Sequence, residues 1–400
     1  MKIVYLHQYF KTPKENGGVR SYHFARALTS RGHDVHVVTS DTAPAGRLGT
    51  SHEVVDGIDV HRIAVAYDNT MGVSRRVVAF IHFALSSAKL ARRLRADVVV
   101  ATSTPLTIAI PAMWAVAGRR HARFVFEVRD LWPEVPIAMG YLKNPFMVRA
   151  ARWLERRTYD RADRIIALSH GMADGVARAG GERQKLAVVP NIADIETFQA
   201  VDSAQKTVLD DIPALGRRPI ALYCGTFGRV NGLHYMVDLA IEAVRQESDI
   251  AFVAVGTGVQ FDEVIQYARR YGVLNKSFFA LPPVPKAALP GLLARATFGS
   301  SWVIDVEALE HNSANKFFDT LASGRPMLVN HGGWQADVLH ERGAGWELSR
   351  NARKAVEQLD GILEDEASIK RAGEAAFKLA IEKYSLEVLS RSFVDIVTNP

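Results

Sequence analysis

The chain has 400 residues, 48% of them hydrophobic and 23% charged, with a formal net charge of +6. That length points to two domains, and that balance to a globular protein rather than a disordered one. The single cysteine, Cys224, excludes an internal disulfide framework and a cysteine-rich zinc site; it sits in an apolar run and reads as a small buried residue.

Lys2–Leu6 reads as a strand, Val19–Arg31 as a helix stopped by Gly32, and Asp34–Thr39 as the next strand. Together they make one strand–helix–strand unit with short joints. Met1–Tyr5 runs straight into His7-Gln8 without a secretory signal, so a cytoplasmic chain is expected. Gly17-Gly18, between that strand and helix, permits a tight turn and a close approach of a ligand to the backbone. The spacing is not that of a dinucleotide fingerprint.

Val98–Gly118 carries no charge and is long enough to span a bilayer. It also contains Thr102, Ser103, Thr104, Pro105 and Pro111, which favour a strand, a turn and a buried helix; a membrane span is the weaker reading. Phe124–Glu127 and Arg164–Ala167 read as later strands of a parallel sheet with helices on both faces. Glu127-Val128-Arg129-Asp130-Leu131-Trp132-Pro133 closes one of them, at the strand end where open α/β sheets place ligands. There Asp130 favours function and Trp132 a packing role.

The pattern restarts after a polar stretch from Asp194 to Arg218, with strands at Pro219–Cys224, Phe252–Val255 and Met327–Asn330. The expected division is therefore 1–196 and 197–384. Gly225-Thr226-Phe227-Gly228-Arg229 follows the first of these strands and Gly256-Thr257-Gly258 the second. A short helix is expected from Asn312 onward, with Ser313 or Asn315 as its cap and Gly324 and Pro326 past its end. Lys316 places a cation in its first turn, against the helix dipole, which makes sense if an anion docks there. Asp319, one turn on, is suited to accept hydrogen bonds from sugar hydroxyls.

Charge is uneven. Residues 1–200 hold 28 Lys/Arg against 18 Asp/Glu, and the second half 21 against 25. Two basic runs carry the excess: Arg75-Arg76 to Lys89, Arg92, Arg93 and Arg95, and Lys143 to Arg164 through Arg149, Arg152, Trp153, Arg156 and Arg157. Any one such run is usually a solvated helix face, but two in one half favour contact with an anionic membrane surface. No nucleic-acid motif supports that other acidic partner. No Asp-x-Asp triplet, no histidine pair at zinc-site spacing with a third ligand and no nucleophile elbow occurs, so neither a metal nor a hydrolase is expected.

Several of these strings resemble one family. Ser313-Ala314-Asn315-Lys316-Phe317-Phe318-Asp319 with Gly324-Arg325-Pro326 is similar to the donor-binding helix of glycosyltransferase family four (group 1). His7-Gln8-Tyr9-Phe10, Gly17-Gly18-Val19-Arg20 and Asp130-Leu131-Trp132-Pro133 are similar to its O-antigen and capsule branch, typified by bacterial N-acetyl-fucosamine transferases. The resemblance runs in matching order from about His7 to about Leu348. It implies an α/β GT-B fold of two Rossmann-like, doubly wound parallel-sheet domains facing a cleft, acceptor in the first and donor in the second. The helix of 385–400 would pack back on the first domain.

It also implies retaining transfer of an N-acetylated or deoxy-amino hexose, without a cofactor, from a nucleotide-diphosphate donor with uridine as base. The acceptor would be a polyprenyl-pyrophosphate- or lipid-linked glycan on the inner face of the cytoplasmic membrane, as in lipopolysaccharide or capsule assembly. By resemblance Gly17, Gly18, Gly225, Thr226, Gly256, Pro283, Val284 and the backbone of Ser313, Ala314 and Asn315 face the donor. Lys316 and Arg229 carry its pyrophosphate, and Asp319 its ribose.

Several positions depart from the family pattern. Arg129 stands where many relatives have histidine, Thr226 and Asn231 where the family has cations, and His311 and Asp319 where it has two glutamates eight apart. His311 or the adjacent Glu310 would then meet the donor sugar. A nucleotide-sugar epimerase of the same fold and a non-catalytic membrane scaffold remain the alternatives.

Overall fold

A computed structural model describes residues 1–15, 17–41, 49–65, 73–103, 105–200 and 206–399. Thr104, residues 201–205 of the polar stretch, Pro400 and the side chain of Arg76 lie outside the described residues. The chain divides into two compact units, Met1–Pro190 with Leu389–Pro400, and Asn191–Val388.

The first unit is built on eight strands: β1 (Lys2–Leu6), β2 (Asp34–Asp41), β3 (Thr50–Val55), β4 (Ile58–Ala64), β5 (Val98–Thr102), β6 (Arg123–Val128), β7 (Arg164–Ala167) and β8 (Leu186–Val188). They lie in the order β3-β4-β2-β1-β5-β6-β7-β8. All neighbours are parallel except β3, which pairs antiparallel with β4 at the edge. β5 is buried at every residue and β1 at Ile3–Leu6, the continuous apolar run of strands covered on both faces.

Helix Arg20–Ser30 follows β1, buries Tyr22, Phe24, Ala25 and Leu28, and ends before Gly32, whose φ of 81° only glycine adopts freely. The uncharged stretch after β5 forms a short turn and helix Ala109–Val116, with Ala109, Pro111, Ala112 and Ala115 inward. Among the described residues no helix is long and apolar enough to cross a membrane. The last helix, Leu386–Thr398, brings Phe393 onto Phe24 and Tyr5, with ring centroids 4.1 and 6.0 Å apart. Arg123 donates to the carbonyls of Val397 and Thr398, closing that helix end on β6.

The second unit holds six parallel strands: β9 (Ile220–Cys224), β10 (Ala251–Val255), β11 (Phe278–Leu281), β12 (Phe298–Ser301), β13 (Met327–Val329) and β14 (Gly345–Glu347). Their order is β11-β10-β9-β12-β13-β14. Side-chain alternation splits the core into two layers. Leu222, Val253 and Val255 face Phe317, Phe318 and Leu321 of helix Asn315–Ala322. Tyr223, Phe252 and Ala254 face Met236, Val237 and Leu239 of helix Leu233–Arg245.

Candidate active site

β11, β10 and β9 run side by side and parallel, so their carboxyl ends at Leu281, Val255 and Cys224 release three loops at one edge of the sheet. The loops are tied by backbone bonds. Gly225 N–H donates to Val255 O (2.9 Å), Phe227 N–H to Thr257 O (2.9 Å) and Gly256 N–H to Leu281 O (3.0 Å). Gly256, at φ 150°, lies so close to the neighbouring loop that a Cβ would sit 1.9 Å from Gly225 O. Gly256 is thus required to bring two loop backbones together beside the strand ends.

Helix Asn315–Ala322 presents its first turn to these loops. Ala314 is the N-cap and no side chain caps it, which corrects the expectation that Ser313 or Asn315 would. Ser313 is instead buried, its carbonyl accepting from Asn191 Nδ2 (2.6 Å). Its hydroxyl has no partner among the described residues. Asn315 is exposed.

Lys316 reaches across to the first loop. Its Nζ donates to Tyr223 Oη (3.0 Å) and Asn231 Oδ1 (3.4 Å) and lies 4.1 Å from the centre of the Tyr223 ring. Tyr223 Oη and Asn231 Nδ2 in turn donate to Thr226 O, at 2.7 and 2.9 Å. A Cβ on Gly225 would lie 3.0 Å from Lys316 Cε, so this glycine makes room for the lysine stem.

The cation is held by neutral groups, and burial pulls its pKa down to about 8. Asp319, one turn along, is pushed up to about 7, by burial first and by Asp194 second, against the pull of Lys286. Among the described residues Lys316 has no carboxylate partner and Asp319 no salt bridge, and the two line one space. That arrangement offers a ready place for an anion carrying hydroxyl groups.

That space is a cavity of about 280 Å³. The sequence-derived residues that line it are Gly225, Thr226, Gly256, Pro283, Val284, Lys316 and Asp319, joined by Cys224, Ser300 and Thr320. Cys224 is half-buried in its wall rather than sunk in the core, and burial pushes its thiol up to about 12, leaving it protonated and a poor nucleophile. Ser300 is already satisfied by Leu222 O at 3.0 Å.

The remaining donor-side residues of this unit lie outside that wall. Arg229 is exposed in the turn Arg229–Asn231. Glu310 and His311 end the turn Glu307–His311, where Arg350 Nη2 stands 3.6 Å from the Glu310 carboxylate. His311 is half-buried. Tyr223 is the residue that sequence reasoning missed, and Asn231, read there only as standing at a cation position of the family, turns out to be a partner of Lys316. They lie 93 and 85 positions before Lys316, and only the fold brings them to it.

Gly17, Gly18 and Asp130 belong to the first unit. Gly17 adopts φ 138° and Asp130 is exposed just past β6. At that strand end Glu127 is fully buried and paired with Arg20 Nε at 2.9 Å, and it also accepts from Thr102 Oγ1 and Tyr5 Oη. Arg20 extends to the carbonyls of Val189 and Pro190. Burial first, and Arg129 second, push the His7 imidazole down to about 3, so it is neutral; Arg129 Nη1 lies 3.5 Å from its Nε2. Trp132 packs half-buried against the core.

Residues 17–192 match the Glycosyl transferase 4-like domain. An alpha-D-kanosaminyltransferase of Streptomyces kanamyceticus is 28% identical over 109 residues, 27% of this chain and 28% of its own length, so the similarity spans about a quarter of each. Two solved structures are similar along the whole chain. Anabaena HepE, solved in complex with UDP and glucose, has a TM-score of 0.72 at 16% identity and covers 100% of both chains. Sucrose-phosphate synthase from Thermosynechococcus elongatus has a TM-score of 0.75 at 14% identity, covering 99% of this chain and 98% of that one. The fold is therefore that of GT-B glycosyltransferases, two parallel-sheet α/β units.

Proposed function

We propose that this chain is a retaining glycosyltransferase that moves a hexose from a uridine-diphosphate donor to a lipid-linked glycan. The observation that carries the reading is the cavity at the ends of β9, β10 and β11, where Lys316 and Asp319 converge with the loops of Gly225 and Gly256. The 4-like domain match over residues 17–192 and the UDP complex of the Anabaena protein support it.

In this account Lys316, Arg229 and the first amides of helix Asn315–Ala322 take up the negative charge that gathers on the leaving diphosphate. Asp319 accepts from the ribose hydroxyls, and Glu310 or His311 meets the donor sugar. Gly17 and Gly18 lie against the donor and Asp130 orients the acceptor. Of the described wall residues Cys224 is protonated, and in this account Asp319 is engaged with the ribose hydroxyls, so neither is assigned the role of nucleophile. Same-face attack by the acceptor hydroxyl, with its proton passing to the departing phosphate, then accounts for retention.

The acceptor side is proposed at a membrane surface. Helix Val73–Leu94 exposes Val78, Ile81 and Leu85 ahead of Lys89, Arg92 and Arg93. Helix Pro145–Arg161 exposes Phe146, Met147 and Trp153 among Arg149, Arg152, Arg156 and Arg157. Apolar side chains beside arginines suit an anionic bilayer face, and we place the enzyme there in lipopolysaccharide, O-antigen or capsule assembly.

The test is transfer from UDP-hexoses to lipid-linked glycan. Loss of one preorganised charge donor costs on the order of 10²–10³ in turnover. Lys316→Ala should fall by that much with its melting temperature little changed. Near-normal turnover in that variant would remove the phosphate role. An isomerised donor without any acceptor would turn the reading to an epimerase.

A further inference from the structure

At the far edge of the eight-stranded sheet β2, β4 and β3 lie side by side, with His36 opposite Asp59 and His52 opposite His61. Because strand side chains alternate, this register puts Asp34, His36, His52, Asp59 and His61 on one face. They are in contact. His36 Nδ1 lies 3.1 Å from His61 Nε2, and His36 Nε2 lies 3.1 Å from Asp34 Oδ1. His52 Nε2 lies 2.6 Å from Asp59 Oδ1, and the His52 and His61 rings stack with centroids 4.8 Å apart. One ligand atom each from Asp34, His36 and Asp59 fall within 4.8 Å of one another.

One atom is out of place in a purely hydrogen-bonded cluster. Among the described residues His36 Nε2 is buried without a hydrogen bond, although a carboxylate oxygen stands beside it. The pairing of Nδ1 with His61 uses one proton between two imidazoles. When His36 donates it, Nε2 is left as a lone pair facing the Asp34 carboxylate at 3.1 Å, two acceptors that a cation would join. Lys2 holds the other oxygen of Asp34 (3.3 Å) and leaves Oδ1 to the cluster.

We propose that Asp34, His36 and Asp59, with His52 as fourth ligand, bind one divalent transition cation of the zinc class. Two imidazoles and two carboxylates are a tetrahedral zinc set with ligand distances of about 2.0–2.2 Å. Asp34, Asp59 and His52 are 49, 31 and 50% exposed, so they have room to close on the ion. His61 completes the arrangement by orienting His36 through its second nitrogen. The ion would cross-link three strands and pin the β3–β4 edge. Asp34 opens β2, so the site lies away from the strand carboxyl ends and is separate from the chemistry of transfer.

The full chain, stripped with chelator and dialysed, is titrated with ZnCl2 by calorimetry and melted with and without it. One equivalent should bind and raise the melting temperature. His36→Ala and the shape-conserving Asp59→Asn should each weaken binding at least about 10-fold, as should His61→Ala, while exposed His340→Ala should not. Metal-free melting of each variant shows whether it folds. No zinc bound at tens of micromolar, or equal binding by wild type and Asp59→Asn, would overturn the site.

Discussion

Near neutral pH Lys316 is mostly charged and Asp319 about half so, and each carries its charge at a cost. The lysine's folded pKa is depressed from 10.5 to about 8, so its penalty is complete below about pH 8 and is relieved as pH rises toward 10.5. The aspartate's is raised from 3.8 to about 7, so its penalty is absent below 3.8 and grows to completion above about 7. A diphosphate docked beside Lys316 would raise its pKa again. At pH 8.5 UDP binding should therefore take up a fraction of a proton. Calorimetry in two buffers of different ionisation enthalpy reads this: enthalpies should differ for the wild type and coincide for Lys316→Ala, whereas coincident wild-type values would contradict the assignment. That Lys316 and Asp319 share one helix face was legible in the sequence because a spacing of one turn is a local property. The contacts of Tyr223 and Asn231 with that lysine were not, because they join residues far apart along the chain.

Among the elements, strands buried on both faces announced themselves as unbroken apolar runs, as β1, β5, β9 and β10 show. The β3–β4 hairpin carried a signal that the sequence reading left unused, the Asp56-Gly57 pair, at φ 50° and 83°. β3 is almost wholly exposed, so no apolar periodicity marked it, and the histidine face it completes stayed hidden with it. Helix Asn315–Ala322 differs from the expected cap because its N-cap position falls on Ala314, which has no capping side chain, one residue after Ser313. Loop packing yields a sharper prediction. Gly256→Ala places a methyl against Gly225 O and cannot be absorbed by a side-chain rotation. It should lower stability on the order of 3 kcal/mol in urea unfolding and abolish UDP binding. A variant that melts and binds like the wild type would show that the loops are not fixed as described.

For the whole molecule, a strand–helix alternation that stops at a polar stretch and restarts was enough to read two parallel-sheet units. The break itself falls between Pro190 and Asn191, and no change in composition marks it. The basic, apolar-tipped helices of the first unit give a prediction at this scale. Vesicles rich in anionic lipid should sediment the protein, and salt should release it. Arg156→Glu with Arg157→Glu should weaken binding by about 1 kcal/mol or more per charge. Equal binding to neutral vesicles would contradict an electrostatic docking face.

A nucleoside-diphosphate site in the second unit makes stability depend on the nucleotide, which thermal unfolding with UDP, GDP, CDP and NAD in separate wells, with and without EDTA, measures. UDP at about 100 times its dissociation constant should add about 2.7 kcal/mol of stability, in EDTA as well, and Lys316→Ala should lose most of that gain. A rise with NAD alone, or with no nucleotide, would contradict the account.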